Sequence, residues 1–128
     1  MPVQDPGAAL TERTYTRPMP TPAIFLLMTT CPDAASAATL ARGLVEHRLA
    51  ACVSQLPGLV STYRWQGELC QENEIQLLIK TPADRLEAAR DWLVAHHPYD
   101  VPELLALPVA DGLPAYLHWV VAQTREET

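Results

Sequence analysis

The chain has 128 residues, 48% hydrophobic and 19% charged, which is enough for one buried core and reads as a single domain, with no second one needed. Its formal charge of −6, with only nine Lys and Arg scattered along it, argues against a nucleic-acid partner, because affinity for a phosphate backbone rests on clustered cations. No stretch approaches the roughly 20 apolar residues of a membrane span, and Cys31, Cys52 and Cys70 lack the spacing of a disulfide framework or a closed zinc site, so a cytoplasmic protein is expected.

Residues 1–21 hold four prolines, few large apolar side chains and no periodicity, and read as a disordered or loosely packed extension before one domain over 22–128. Ala23 to Thr30, AIFLLMTT, is continuously apolar, as expected of a central strand covered on both faces. Asp33 is placed to cap a helix from Ala34 to about Leu49, with Ala37, Leu40, Ala41, Leu44 and Val45 at the helical period.

Two roughly alternating runs, Leu59 to Trp65 and Leu69 to Ile79, flank Gln66-Gly67, where glycine can take the positive φ of a tight hairpin turn. A two-residue turn sets Trp65 against Glu68, Tyr63 against Cys70 and Ser61 against Glu72. At about 3.3 Å per residue such arms reach roughly 45 Å, whereas a compact chain of this length has a radius of gyration of about 14 Å. The hairpin is therefore expected to overhang its own subunit, and open strand edges are covered most economically by further copies of the same chain.

Thr81-Pro82-Ala83-Asp84 reads as a second helix start, with Thr81 as hydroxyl cap and Pro82 at the first helical position; Pro98 ends that helix at His97. A fourth strand is expected from Glu103 to Val109, and a last helix from Pro114 to about Gln123. Strand, helix, strand, strand, helix, strand is the split βαβ order of an α+β, ferredoxin-like fold, here with an appended C-terminal helix. Pro57 and Pro108 fall in the second and fourth strands, the edges of that topology, where proline is tolerated.

The same topology brings Cys31 and His96-His97 to one rim. A thiolate and two imidazoles suit copper or zinc. The competing reading has the histidines solvating the negative end of the helix dipole, and two adjacent helical residues diverge by about 100°, so both can reach one ion only where Pro98 has broken the helix or a second subunit contributes. His47 and His118 lie on helices without a patterned partner, and no nucleophile-base-orienter set is legible.

The segments LAACVSQLPGLVSTYRWQGEL, EIQLLIKT, HHPYDVPELLALPV and YLHW, in this order, resemble the CutA divalent-cation tolerance family over about residues 23–121. The resemblance implies a homotrimer of ferredoxin-like subunits similar in architecture to the PII signalling proteins, binding copper or another divalent cation and acting as a binding protein rather than an enzyme. It implies His96 and His97 as metal ligands, with a cysteine whose family position falls on Thr29; Cys31, two residues along, would take its place. Lys80, Glu74, Trp65, Tyr99 and Trp119 lie in the resembling segments and form an expected cleft for a small molecule or anion, the basis of an alternative PII-like regulatory reading. Lys80 reads equally as a solvated charge at a strand end.

Overall fold

The structure, a computed structural model, describes residues 21–126; the expected extension falls outside the described residues except for Thr21. The elements are β1 (Ile24–Cys31), α1 (Ala34–Glu46), β2 (Cys52–Trp65), β3 (Glu68–Pro82), α2 (Ala83–His96), β4 (Leu105–Pro108) and α3 (Pro114–Gln123). The four strands form one sheet in the order β2-β3-β1-β4, with antiparallel neighbours throughout. This is the ferredoxin-like arrangement, with β1 and β3 central. Pro57 and Pro108 sit on the edge strands, where a missing N–H breaks no central ladder.

The alternation of each strand divides the sheet into two unequal faces. Leu27 and Cys31 of β1 with Leu77 and Ile79 of β3 point toward α1 and α2, whose Leu40, Leu44, Ala89 and Leu93 complete the main core. Ile24, of opposite parity, joins Ala51, Leu117 and Val120 in a smaller cluster, so α3 covers only one end of the other face. The rest of that face carries rows fixed by register, Leu107–Leu26–Lys80–Cys52 and Leu105–Met28–Leu78–Ser54. In them Leu26, Met28 and Leu78 are half-buried, and Leu105 and Leu107 are exposed.

The hairpin turn forms as expected. Gln66 and Gly67 have φ of 49° and 82°, the paired positive values of a type I′ turn, and Trp65–Glu68, Tyr63–Cys70 and Ser61–Glu72 are the observed partners. A bulge between Leu56 and Leu59 shifts the register by one residue, with Gly58 at φ 83°.

Three boundaries differ from expectation. The first helix stops at Glu46 rather than near Leu49, because Arg48 enters the left-handed region (φ 59°) and Leu49 N–H turns back to Leu44 O at 2.9 Å. Thr81 does not cap α2: it remains in β3 and its Oγ1 donates to Leu49 O at 2.7 Å, while Pro82 stands at the cap without a side-chain bond. The fourth strand is shorter, Leu105–Pro108. Asp33 caps α1 as expected, its Oδ1 accepting from Ser36 N–H at 2.7 Å.

Candidate metal-binding rim and small-ligand cleft

Pro98 disfavours helical geometry at the preceding residue, so α2 ends at His96 and His97 is extended (φ −71°, ψ 141°). The two adjacent imidazoles leave this junction in different directions. His96 folds back along α2: its Nδ1–H donates to Trp92 O at 2.8 Å, and its ring stacks on the Trp92 indole with centroids 4.2 Å apart. This leaves Nε2 as the ring's open lone pair, on an exposed residue. A backbone carbonyl holding one ring N–H is the usual support of a metal-ligating histidine.

His97 turns inward and is buried. Its Nδ1 accepts from Tyr99 N–H at 3.1 Å, which assigns the ring proton to Nε2, and Nε2–H lies 2.9 Å from Thr30 O and 3.1 Å from Thr29 Oγ1. Both ring nitrogens are thus engaged. Burial lowers the His97 pKa from its ordinary value, against the opposing pull of the Thr30 carbonyl and the Glu74 charge, so the ring is neutral at pH 7. It can ligate a metal only by releasing the Tyr99 N–H.

Cys31 is fully buried, and its thiol is pushed up to about 11, first by desolvation and then by the charges of Asp33 and Glu74. A protonated, enclosed thiol is a poor metal ligand. Thr29, where the family resemblance sets the cysteine, is the strand residue that hydrogen-bonds His97. Among the described residues no group of three or more His, Cys, Asp and Glu side chains is arranged to hold a metal ion. The three expected ligands therefore occupy three environments within one subunit.

The expected cleft residues fall into separate places. Glu74 is buried, and its Oε2 accepts from Tyr99 OH at 2.9 Å, joining the rim of His97. Lys80 lies six residues along β3, about 20 Å away at strand spacing; its Nζ donates to Ser54 Oγ at 2.6 Å and approaches Cys52 Sγ at 3.8 Å. Trp119 stacks with Tyr116 at 5.7 Å in the α3 cluster. Trp65 stands at the hairpin tip, 60% exposed.

Sequence reasoning set His47 aside and did not single out Trp92. Trp92 lies across Gly43, and His47 is the indole's second ring neighbour, with centroids 5.8 Å apart and its own Nδ1–H held by Gly43 O at 2.8 Å. Together with Arg42, Glu46 and His96 these residues line an open groove of about 430 Å³. The signal was available in the four-residue spacings Gly43–His47 and Trp92–His96, which place each imidazole one turn beyond the carbonyl that holds it.

The family model for the CutA1 divalent ion tolerance protein matches residues 25–123. The divalent-cation tolerance protein CutA of Thermus thermophilus is 46% identical over 99 residues, covering 77% of this chain and 96% of that protein. The crystal structure of CutA from Xylella fastidiosa superposes with a TM-score of 0.78 at 53% identity, over 80% of this chain and 98% of the other. A CutA described as a periplasmic divalent cation tolerance protein, from Archaeoglobus fulgidus, gives a TM-score of 0.76 at 30% identity over 80% and 99%. With the match spanning nearly all the described residues, the chain belongs to the CutA1 divalent ion tolerance family.

Proposed function

We propose that this protein binds divalent copper, or a similar cation such as zinc, as a homotrimer that responds to metal ions, and that it is a binding protein rather than an enzyme. The observation carrying this reading is His96: its Nδ1–H is fixed by Trp92 O, and its Nε2 lone pair is presented on an exposed residue. The present residues fit a metal unequally. His96 is the ready ligand, His97 joins once the Tyr99 N–H is released, and Cys31 would have to lose a proton that burial holds in place. Further ligands come from neighbouring copies. Trimer formation is supported by the open rows of the sheet and by exposed Val60 and Leu69 on the hairpin, for which sister subunits are the economical cover.

Isothermal copper titration of untagged protein tests this. His96→Ala should weaken binding about tenfold or more, while Cys31→Ser should leave it unchanged. Equal affinity in wild type and the His96→Ala/His97→Ala double variant overturns the site.

A second reading, a PII-like module binding a small molecule or anion, is favoured by the half-buried Lys80 side chain, whose two observed contacts, Ser54 and Cys52, include no carboxylate. A thermal-shift screen with nucleotides and small anions checks it; a response equal in wild type and Lys80→Ala counts against it. The three free thiols support a reducing, cytoplasmic setting. Recovery in a periplasmic fraction, the compartment named for the archaeal relative, would overturn that assignment.

A further inference from the structure

We propose that the Trp92 indole is a positioning residue for the metal: it holds His96 in the one neutral tautomer whose Nε2 can take a cation, and so sets how tightly the protein binds copper. The inference rests on His96 as the metal ligand and names the side chain that makes it one. It concerns the outer surface of the helix layer. α1 and α2 cover one face of the sheet, whereas the open rows that sister copies would cover lie on the other, so the proposed trimer leaves this surface in contact with solvent.

An imidazole on an exposed residue does not choose its tautomer unaided. A free neutral histidine side chain prefers the proton on Nε2, which closes the lone pair that a metal needs, and the choice is reversed only by what the other nitrogen bonds. Here the 2.8 Å bond from Nδ1–H to Trp92 O reverses it. Such a bond is modest in net strength where water competes for both partners. The indole removes part of that competition. It lies on the His96 ring with centroids 4.2 Å apart and planes 20° from parallel, so it covers one face of the imidazole and restricts its rotation. One residue thus acts twice, its carbonyl selecting the tautomer and its side chain keeping the ring over that carbonyl.

The indole is itself pinned. Gly43 has no Cβ where Trp92 Cη2 and Cζ2 lie, which lets the ring of α2 settle across α1. Its second ring neighbour, His47, is tied to α1 by Nδ1–H to Gly43 O at 2.8 Å. Support fixed by two helices is preorganised, and orienting the ligand is what the partners behind a metal-binding histidine contribute. His97 lacks this arrangement: its Nδ1 is taken by Tyr99 N–H and its Nε2 carries the proton toward Thr30 O.

The test substitutes Trp92 and reads the tautomer before any metal is added. Every substitution there keeps the backbone carbonyl, so only the indole is removed. Long-range proton–nitrogen NMR of the metal-free, isotope-labelled full chain at pH 8 should show wild-type His96 with a protonated Nδ1 and a bare Nε2. Trp92→Ala should move His96 toward the Nε2–H form, and its copper affinity should fall about three- to tenfold, the ratio an aromatic pair supplies. Trp92→Phe, which restores a ring, should recover the wild-type tautomer and most of the affinity. Where Trp92→Ala fails to fold, Trp92→Leu takes its place as the variant without a ring. An unchanged His96 tautomer in a folded variant without a ring, or an affinity lowered equally with and without one, overturns the proposal. Copper affinity equal in wild type and His96→Ala overturns the metal reading beneath it, and the metal-free tautomer distinguishes that outcome from a failure of the stack.

Discussion

His96 and His97 are neighbours in sequence whose rings serve opposite sides of the chain: one lies on the Trp92 indole with its Nε2 open, the other is buried with both nitrogens engaged by Tyr99 N–H and Thr30 O. The divergence follows from one proline. Pro98 holds His97 in extended geometry and thereby turns its ring into the sheet end, while His96 keeps the helical geometry that returns Nδ1 to the carbonyl four residues back. A metal reading that treats the pair as equivalent ligands does not describe this rim.

The buried ring makes stability depend on pH with a definite sign. The folded-state pKa of His97 lies below 6.5, so below that value the unfolded chain takes up the proton first. Its contribution is fully present above the unfolded pKa and is lost as pH falls through 6.5 toward the lower folded value. Melting temperature measured from pH 8 to pH 5 should therefore fall on the acid side, and His97→Gln should flatten that limb. Identical acid limbs in the two proteins would refute the assignment.

Tyr99 ties the same rim to β3. Its hydroxyl satisfies Glu74 Oε2, and its ionisation is raised strongly by burial and by that carboxylate. Tyr99→Phe leaves a buried carboxylate without this donor, a loss of about 1–3 kcal/mol. Chemical denaturation should show it as a lower midpoint with an unchanged slope. Glu74→Gln keeps an acceptor for the hydroxyl and should cost less, and the reverse ranking would mean that the pair does not act as described.

The fold was legible because its signals are local and repeated. A continuous apolar β1, the Asp33 cap, Gln66-Gly67 between alternating runs and prolines confined to edge strands each follow from backbone sterics or side-chain period. The candidate site was legible only as a list of residues. Which way His96 and His97 point depends on carbonyls at Trp92 and Thr30, the second of them far along the chain, and the burial that keeps Cys31 protonated is a property of the packed helices. Thr81 shows the same limit: a hydroxyl before Pro82 has the pattern of a cap, yet Leu49 O claims it. His47 was set aside for want of a patterned partner, and the ring it meets lies on another helix.

Gly43 is required by the indole above it. A Cβ at that position would fall on Trp92 Cη2 and Cζ2, so Gly43→Ala must displace the ring from His96 and His47. Overpacking costs about 1–3 kcal/mol, offset by about 1 kcal/mol of helix propensity gained over glycine. The net expectation is a modest loss, roughly 1 kcal/mol or a 4–8 °C lower melting temperature. Tryptophan fluorescence and the His96 ring resonances should shift with it. An unchanged Trp92 environment in a normally folded variant would show that the ring does not rest there.

The hairpin supplies the last expectation. Val60, Trp65 and Leu69 are 63%, 60% and 70% exposed, and β2 and β3 run 14 and 15 residues from the body of the domain to the turn. An arm of that length with apolar side chains open on it is a hazard in a solitary subunit and a scaffold among several. Sedimentation of the intact chain should give a trimer, and deletion of Arg64 to Leu69 should give monomer or aggregate at the same concentration. The deletion removes the turn and its nearest pairs but leaves the core of β1, α1 and α2 intact, so helical circular dichroism should persist. A stable trimer from the shortened chain would place the subunit contacts elsewhere on the sheet, and a monomeric intact chain would remove the oligomer altogether.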